Sequence, residues 1–186
     1  MGDVWIPDEA VSRYIVRASL EILEESWHEP GKDVNHRIGV ATAACIIISG
    51  YFGGLRGEEI SKANLGAIRR YWNESTSYPD HPHMPLVLVG RFKGQTGEKL
   101  FCQPLAFVSD GGCQIGMWFV RLMKMLQKKG RLTGPLFRNE KKKSMTVGDM
   151  DFYFHSVLKE VQRRHPNIIA ASVNVEEDFS VSRSLR

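Results

Sequence analysis

The stretch from Ile38 to Ile48 limits what this chain can fold into more than any other. Ile38, Val40, Ala41, Ala43, Ala44, Cys45, Ile46, Ile47 and Ile48 make a helix that is apolar nearly all round. Such a helix belongs in the middle of a domain, with other elements packed on every side. Gly39, Ala41, Ala43, Ala44, Ser49 and Gly50 are small enough to let those neighbours approach closely. The spacing predicts a start near Asp33 or Asn35 and an end near Phe52, where Gly53-Gly54 supplies residues able to take up a left-handed cap. Directly after this corner stands Arg56. Glu58 and Glu59 then open a short helix from Gly57 to about Ala63, as acids favour a helix start. A cation delivered at the end of a buried helix is costly to place unless an anion meets it.

The remaining chain supplies the neighbours. Asp8 after Pro7 is an N-cap, and Val11, Tyr14, Ile15, Ala18, Ile22 and Leu23 follow at helical spacing up to the Pro30-Gly31 break. Residues 65–72 read as a strand, and 73–85, rich in Ser, Pro and His, as a loop. Leu86 to Val89 is a clear strand. Glycine-rich residues 90–97 turn the chain, and Lys99 to Pro104 returns as the second strand of a hairpin. Gln114 to Lys128 is a helix whose apolar face holds Ile115, Trp118, Phe119, Leu122, Met123, Met125 and Leu126, with Arg121, Lys124, Lys128 and Lys129 outside. Met and Trp at that spacing read as core rather than as a cofactor box. Gly134-Pro135-Leu136-Phe137 is a short buried extension. A last long helix starts at Thr146 or Asp149 and stops before Pro166, and residues 168–175 read as extended. The fold class expected is mainly α with a small antiparallel β-sheet, α+β. The 186 residues form a single domain, with a leading helix and linker over 1–33 and a core over 34–186.

Composition narrows the function classes. A 42% apolar fraction is enough for a core, and no apolar run approaches the roughly 18 residues that span a membrane. Cys45, Cys102 and Cys113 have neither disulfide nor metal-ligand spacing, which implies reduced thiols and an intracellular setting. The six histidines, among them His81, His83 and His155, read as surface residues without a zinc pattern, and no metal or cofactor is implied. There is no phosphate loop ending in Lys-Ser/Thr and no Ser or Cys nucleophile motif. The net charge of +4 is mild, but between Arg121 and Lys143 nine cations face one acid, Glu140.

What remains is a set of separated cations, each at a special place. Arg56 follows the Gly-Gly corner, Lys93 lies at the hairpin bend, and Arg183 and Arg186 are three apart, on one face of a helix. Together they suit phosphoryl transfer without metal. Two guanidinium forks grip the non-bridging oxygens of a phosphodiester, a lysine at a bend protonates the leaving alkoxide, and Glu59 orients the first arginine.

Gly54-Leu55-Arg56-Gly57-Glu58-Glu59-Ile60 resembles the first box of the tyrosine recombinases, or phage integrases. Gly90-Arg91-Phe92-Lys93 resembles the hairpin carrying their catalytic lysine, Gly134 to Phe137 the apolar segment between their boxes, and Ser182-Arg183-Ser184-Leu185-Arg186 the start of their second box. The resemblance implies a mostly helical catalytic core that breaks and rejoins double-stranded DNA through a 3′-phosphotyrosyl intermediate, without cofactor or metal, alongside other protomers on the DNA. It implies catalytic roles for Arg56, Lys93, Arg183 and Arg186 with Glu59 in support, and DNA contacts from Arg91, Lys99, Lys141, Lys142 and Lys143. Arg183 stands where the family has histidine, which removes a group that exchanges protons near neutral pH. The tyrosine is expected beyond Arg186 and a DNA-clamping domain before the core, so the chain reads as a piece of a longer enzyme, inactive by itself. The alternatives are a mobile-element relic that grips DNA without cutting it, and a protein-interaction domain with incidental cations.

Overall fold

Every residue from Val40 to Gly50 is buried, and these residues form the middle of α2 (Val34–Tyr51). The computed structural model describes residues 11–72 and 83–185. α1 (Arg13–Trp27), α5 (Gly116–Lys128) and α6 (Val147–Arg164) pack around α2 as the all-round apolar pattern requires. Asp33 caps α2, its carboxylate accepting from the His36 N–H at 2.8 Å. The buried Ser49 hydroxyl is satisfied by donating to the Cys45 carbonyl at 2.7 Å. α1 contributes Ile15, Val16, Ala18, Leu20, Ile22 and Leu23 to the same core.

Four short helices and a hairpin complete the described residues. α3 (Gly57–Ile60) and α4 (Leu65–Tyr71) follow α2, and α7 (Val175–Asp178) and α8 (Val181–Ser184) follow α6. β1 (His83–Gly90) pairs antiparallel with β2 (Lys99–Ala106), from His83 opposite Ala106 to Gly90 opposite Lys99. Met84, Leu86, Val87 and Leu88 turn β1 into the core, whereas β2 is exposed along most of its length. The hairpin is tied to the α3–α4 junction by backbone bonds of 2.9 Å from Asn64 N–H to the Val87 carbonyl and from Val89 N–H to the Lys62 carbonyl. The architecture is thus mainly helical with a two-stranded antiparallel sheet, the expected α+β class. Among the described residues no helix is long and apolar enough to cross a membrane.

Several elements differ from the sequence reading. Residues 65–72 are not a strand: α4 forms because the Asn64 side chain caps it, accepting from the Ala67 N–H at 2.9 Å, and because Leu65, Ala67 and Ile68 share one fully buried helical face. α1 is capped by Ser12, while Asp8 lies outside the described residues. The hairpin's first strand takes in residues 83–85 of the expected loop, and 73–82 lie outside the described residues. Residues 168–175 are turned rather than extended, since Gln162 on α6 donates to the carbonyls of Ala170 and Val173 at 2.7 and 2.8 Å and gathers them in. Arg121 is not an outward cation. It forks onto Glu24 of α1 at 2.5 and 2.9 Å and lies over the Trp118 and Trp27 rings, 4.7 and 5.0 Å from their centroids.

Candidate functional site

Arg56 follows a Gly-Gly corner that the core holds in place. Gly54 takes φ of 63°, a conformation open to glycine, and Leu55, anchored in the core, donates its N–H to the Ser49 carbonyl at 3.3 Å. The next residue, Arg56, is exposed and occupies the N-cap position of α3. Glu59 Oε2 accepts from the Arg56 backbone N–H at 2.7 Å. This carboxylate bond fixes the backbone of Arg56, because α3 leaves that N–H without a helical partner. Among the described residues no carboxylate lies within ion-pair distance of the Arg56 guanidinium.

The chain's last described turn comes back to this corner. A Cβ at Gly57 would lie 2.7 Å from Ser182 Oγ and 3.0 Å from Val147 Cγ2, so α3, α8 and the start of α6 meet at a residue that must be small. One helix lower, a Cβ at Gly50 would lie 2.7 Å from the Leu185 Cβ. The residues flanking Arg56 and Arg183 are thus in direct contact, far apart as they are in the chain. Arg183 is exposed, and its Nε–H donates to Ser180 Oγ at 3.2 Å. Arg186 lies outside the described residues.

Lys93 and Arg91 are exposed in the turn between the strands, where Gly94 and Gly97 adopt φ of 80° and 75°. Phe92 and Gln95, on either side of Lys93, line a cavity of about 350 Å³ together with Leu55 and Glu59, on either side of Arg56, and with Lys99. Lys62 closes the joint. Its Nζ donates to the Glu58 carbonyl at 3.0 Å and lies 5.4 Å from the Phe92 ring centroid. The corner and the hairpin bend are therefore adjoining walls of one depression.

Lys141, Lys142 and Lys143 are exposed on a separate turn, closed by the Asn139 N–H donating to the Lys143 carbonyl at 2.9 Å, with Lys142 at φ of 61°. This turn leads through Ser144, Met145 and Thr146 into Val147, the residue facing Gly57. Arg131, another cation of the basic run, is structural: half-buried at the end of α5, it donates to the carbonyls of Pro135 and Leu136, and desolvation pushes its pKa down to about 10. Its partners belong to the 134–137 segment, where Leu136 and Phe137 are buried as expected.

The histidines are not uniformly surface loop residues. His36 and His155 are helical and partly buried, and His155 Nε2–H donates to the Phe179 carbonyl at 2.7 Å. This contact escaped the sequence reading, as did that of Asp151 one turn earlier on α6, whose Oδ1 accepts from Val181 N–H at 2.7 Å. Their spacing of four on a helix was the available signal. Among the described residues no cluster of three or more His, Cys, Asp or Glu side chains could hold a metal ion. Cys45 is wholly buried, and desolvation pushes its thiol pKa well up, as befits a core residue.

No family model, curated protein or solved structure matches the chain.

Proposed function

We propose that this chain is the phosphate-gripping core of a DNA strand-transferase of the tyrosine-recombinase kind, acting on double-stranded DNA with other protomers. The observation that carries the reading is the contact of Gly57 with Ser182, which sets the Arg56 corner against the turn bearing Arg183. Exposed guanidinium groups on adjoining turns suit a phosphodiester, whose oxygens accept from both. Arg56 and Arg183, with Arg186, clamp the phosphate and stabilise charge as it develops on the oxygens. Lys93, on an exposed turn beside the same depression, protonates the leaving 5′-oxygen. Arg91, Lys99, Lys141, Lys142 and Lys143 hold flanking phosphates and supply affinity rather than sequence choice.

The test has two arms. The chain is titrated with duplex DNA over a range of salt, and the chain extended through its downstream reading frame is offered a nicked suicide duplex. Salt-sensitive binding that weakens in Arg56→Ala, with a covalent adduct from the extended chain, supports the reading. Absence of binding at low salt overturns it. The presence of Arg183 in place of histidine favours a second reading, a relic that grips DNA without cutting. Binding without any adduct from the extended chain selects that one.

A further inference from the structure

We infer that Asp151 and His155 are positioning residues that hold Arg183 in place for its phosphate, an inference that rests on the function proposed above. The two side chains stand one turn apart on α6 and grip the chain on either side of Ser180. His155 Nε2–H donates to the carbonyl of Phe179, and Asp151 Oδ1 accepts from the N–H of Val181, each at 2.7 Å. Ser180 is buried between them and fully engaged. Its N–H donates to Ser184 Oγ and its carbonyl accepts from Ser184 N–H, both at 2.9 Å, and its hydroxyl accepts from Arg183 Nε–H at 3.2 Å.

This arrangement matters because α8 is too short to hold itself. A four-residue helix has no cooperative hydrogen-bond ladder, so its orientation is set by what ties it down. Apolar packing by Val181 and Leu185 fixes its depth. The two α6 bonds fix the backbone on both sides of the residue that the Arg183 guanidinium touches. They are directional and partly shielded from water, so losing either lets Ser180 turn, and Arg183 Nε turns with it. Neither α6 side chain is placed on the DNA; both act through Ser180.

The experiment measures duplex binding by the chain against salt, for wild type, Arg183→Ala, Asp151→Ala, His155→Ala and each double variant with Arg183→Ala. Loss of one phosphate contact lowers the slope of log affinity against log salt by about 0.9. The inference expects Asp151→Ala and His155→Ala to give that decrease, and to give no further decrease once Arg183 is alanine. Asp151→Asn keeps an acceptor and His155→Gln a donor, and both are expected to restore most of the slope, which guards against variants that fail to fold. A role confined to stability would lower the melting temperature and leave the slope of the folded protein unchanged, and that result overturns the inference. A decrease that persists on the Arg183→Ala background overturns it as well. If Arg183→Ala itself leaves binding unchanged, the proposed phosphate contact fails, and this inference falls with it.

Discussion

Gly57→Ala is the sharpest probe of the junction between the Arg56 corner and α8. The added Cβ would meet Ser182 Oγ at 2.7 Å and Val147 Cγ2 at 3.0 Å, both inside ordinary contact distance. Overpacking of this kind costs about 1–3 kcal/mol. Alanine gains up to about 1 kcal/mol over glycine in a helix interior, and less at a first helical position such as this one. The steric term therefore wins, and a net loss of about 1–2 kcal/mol is expected. For a chain of this size about 1 kcal/mol moves the midpoint by about 2–4 °C, so calorimetry should show a fall of about 2–8 °C. Ser182→Ala removes the nearest atom. Gly57→Ala should then cost clearly less in the Ser182→Ala background than in the wild type, with the Val147 contact left as the residue of strain. A Gly57→Ala protein that melts at or above wild type would refute the reasoning, as would a cost unchanged by Ser182→Ala.

Gly116→Ala tests the start of α5, since its Cβ would fall 1.8 Å from Phe107 Cδ1. Expelling that buried ring should cost about 3–5 kcal/mol in urea unfolding, and much less in a Phe107→Ala background. Acid stability follows two carboxylates whose folded pKa values are lowered, Glu24 chiefly by the hydrogen bond from Arg121 and Glu160, to about 2, chiefly by that from Arg163. A lowered folded value means that their contribution is complete above the unfolded value of about 4.3 and is lost as pH falls toward about 2. Melting temperatures should drop through that window, and Glu24→Gln with Glu160→Gln should flatten the drop. Native thiol labelling at mild alkaline pH should modify the exposed Cys102 and spare the buried Cys45 until the protein unfolds.

Much of the fold was legible because local chemistry and global packing agree. The all-round apolar run could only be a central helix, Asp33 and Thr146 are caps whose side-chain oxygens accept from the first helical turn, and the alternation of apolar strand and glycine-rich turn at 86–104 has one reading. α4 was not legible: the aromatic pair Tyr71-Trp72 and Ile68 lean toward strand, while the Asn64 cap and one buried face decide for helix. For the site, Arg56 and Lys93 could be singled out from glycine placement. The contact of Gly57 with Ser182 could not, since a close approach between distant segments leaves no periodic trace. Asp151 and His155 left only the weak trace of a spacing of four on one helix, because a polar side chain bonding to remote backbone looks like any half-exposed helix residue.

The same structure separates cations that meet a carboxylate or a carbonyl from cations that do not, and the second group takes in Lys124, Lys128 and Lys129 beside α5 as well as those around the Arg56 corner. Arg121 is spent on Glu24, Arg164 on Glu25 and Glu160, Arg163 on Glu160, Lys159 on Glu176 and Lys32 on Glu29, while Arg131 is held by carbonyls. Arg56, Arg91, Lys93, Lys99, Lys142 and Lys143 are exposed, with no carboxylate at ion-pair distance among the described residues. They stand on the Gly-Gly corner, on the hairpin bordering its depression, and on the turn that leads into Val147. Val147 and Ser182 both close on Gly57, so these segments are joined through one glycine and its neighbours. Exposed pairs elsewhere on the surface are nearly neutral in energy and could have been placed here at little cost. Leaving this group unpaired keeps its charge available to an outside anion, and a polyanion engages several such cations at once where a single small anion engages one or two.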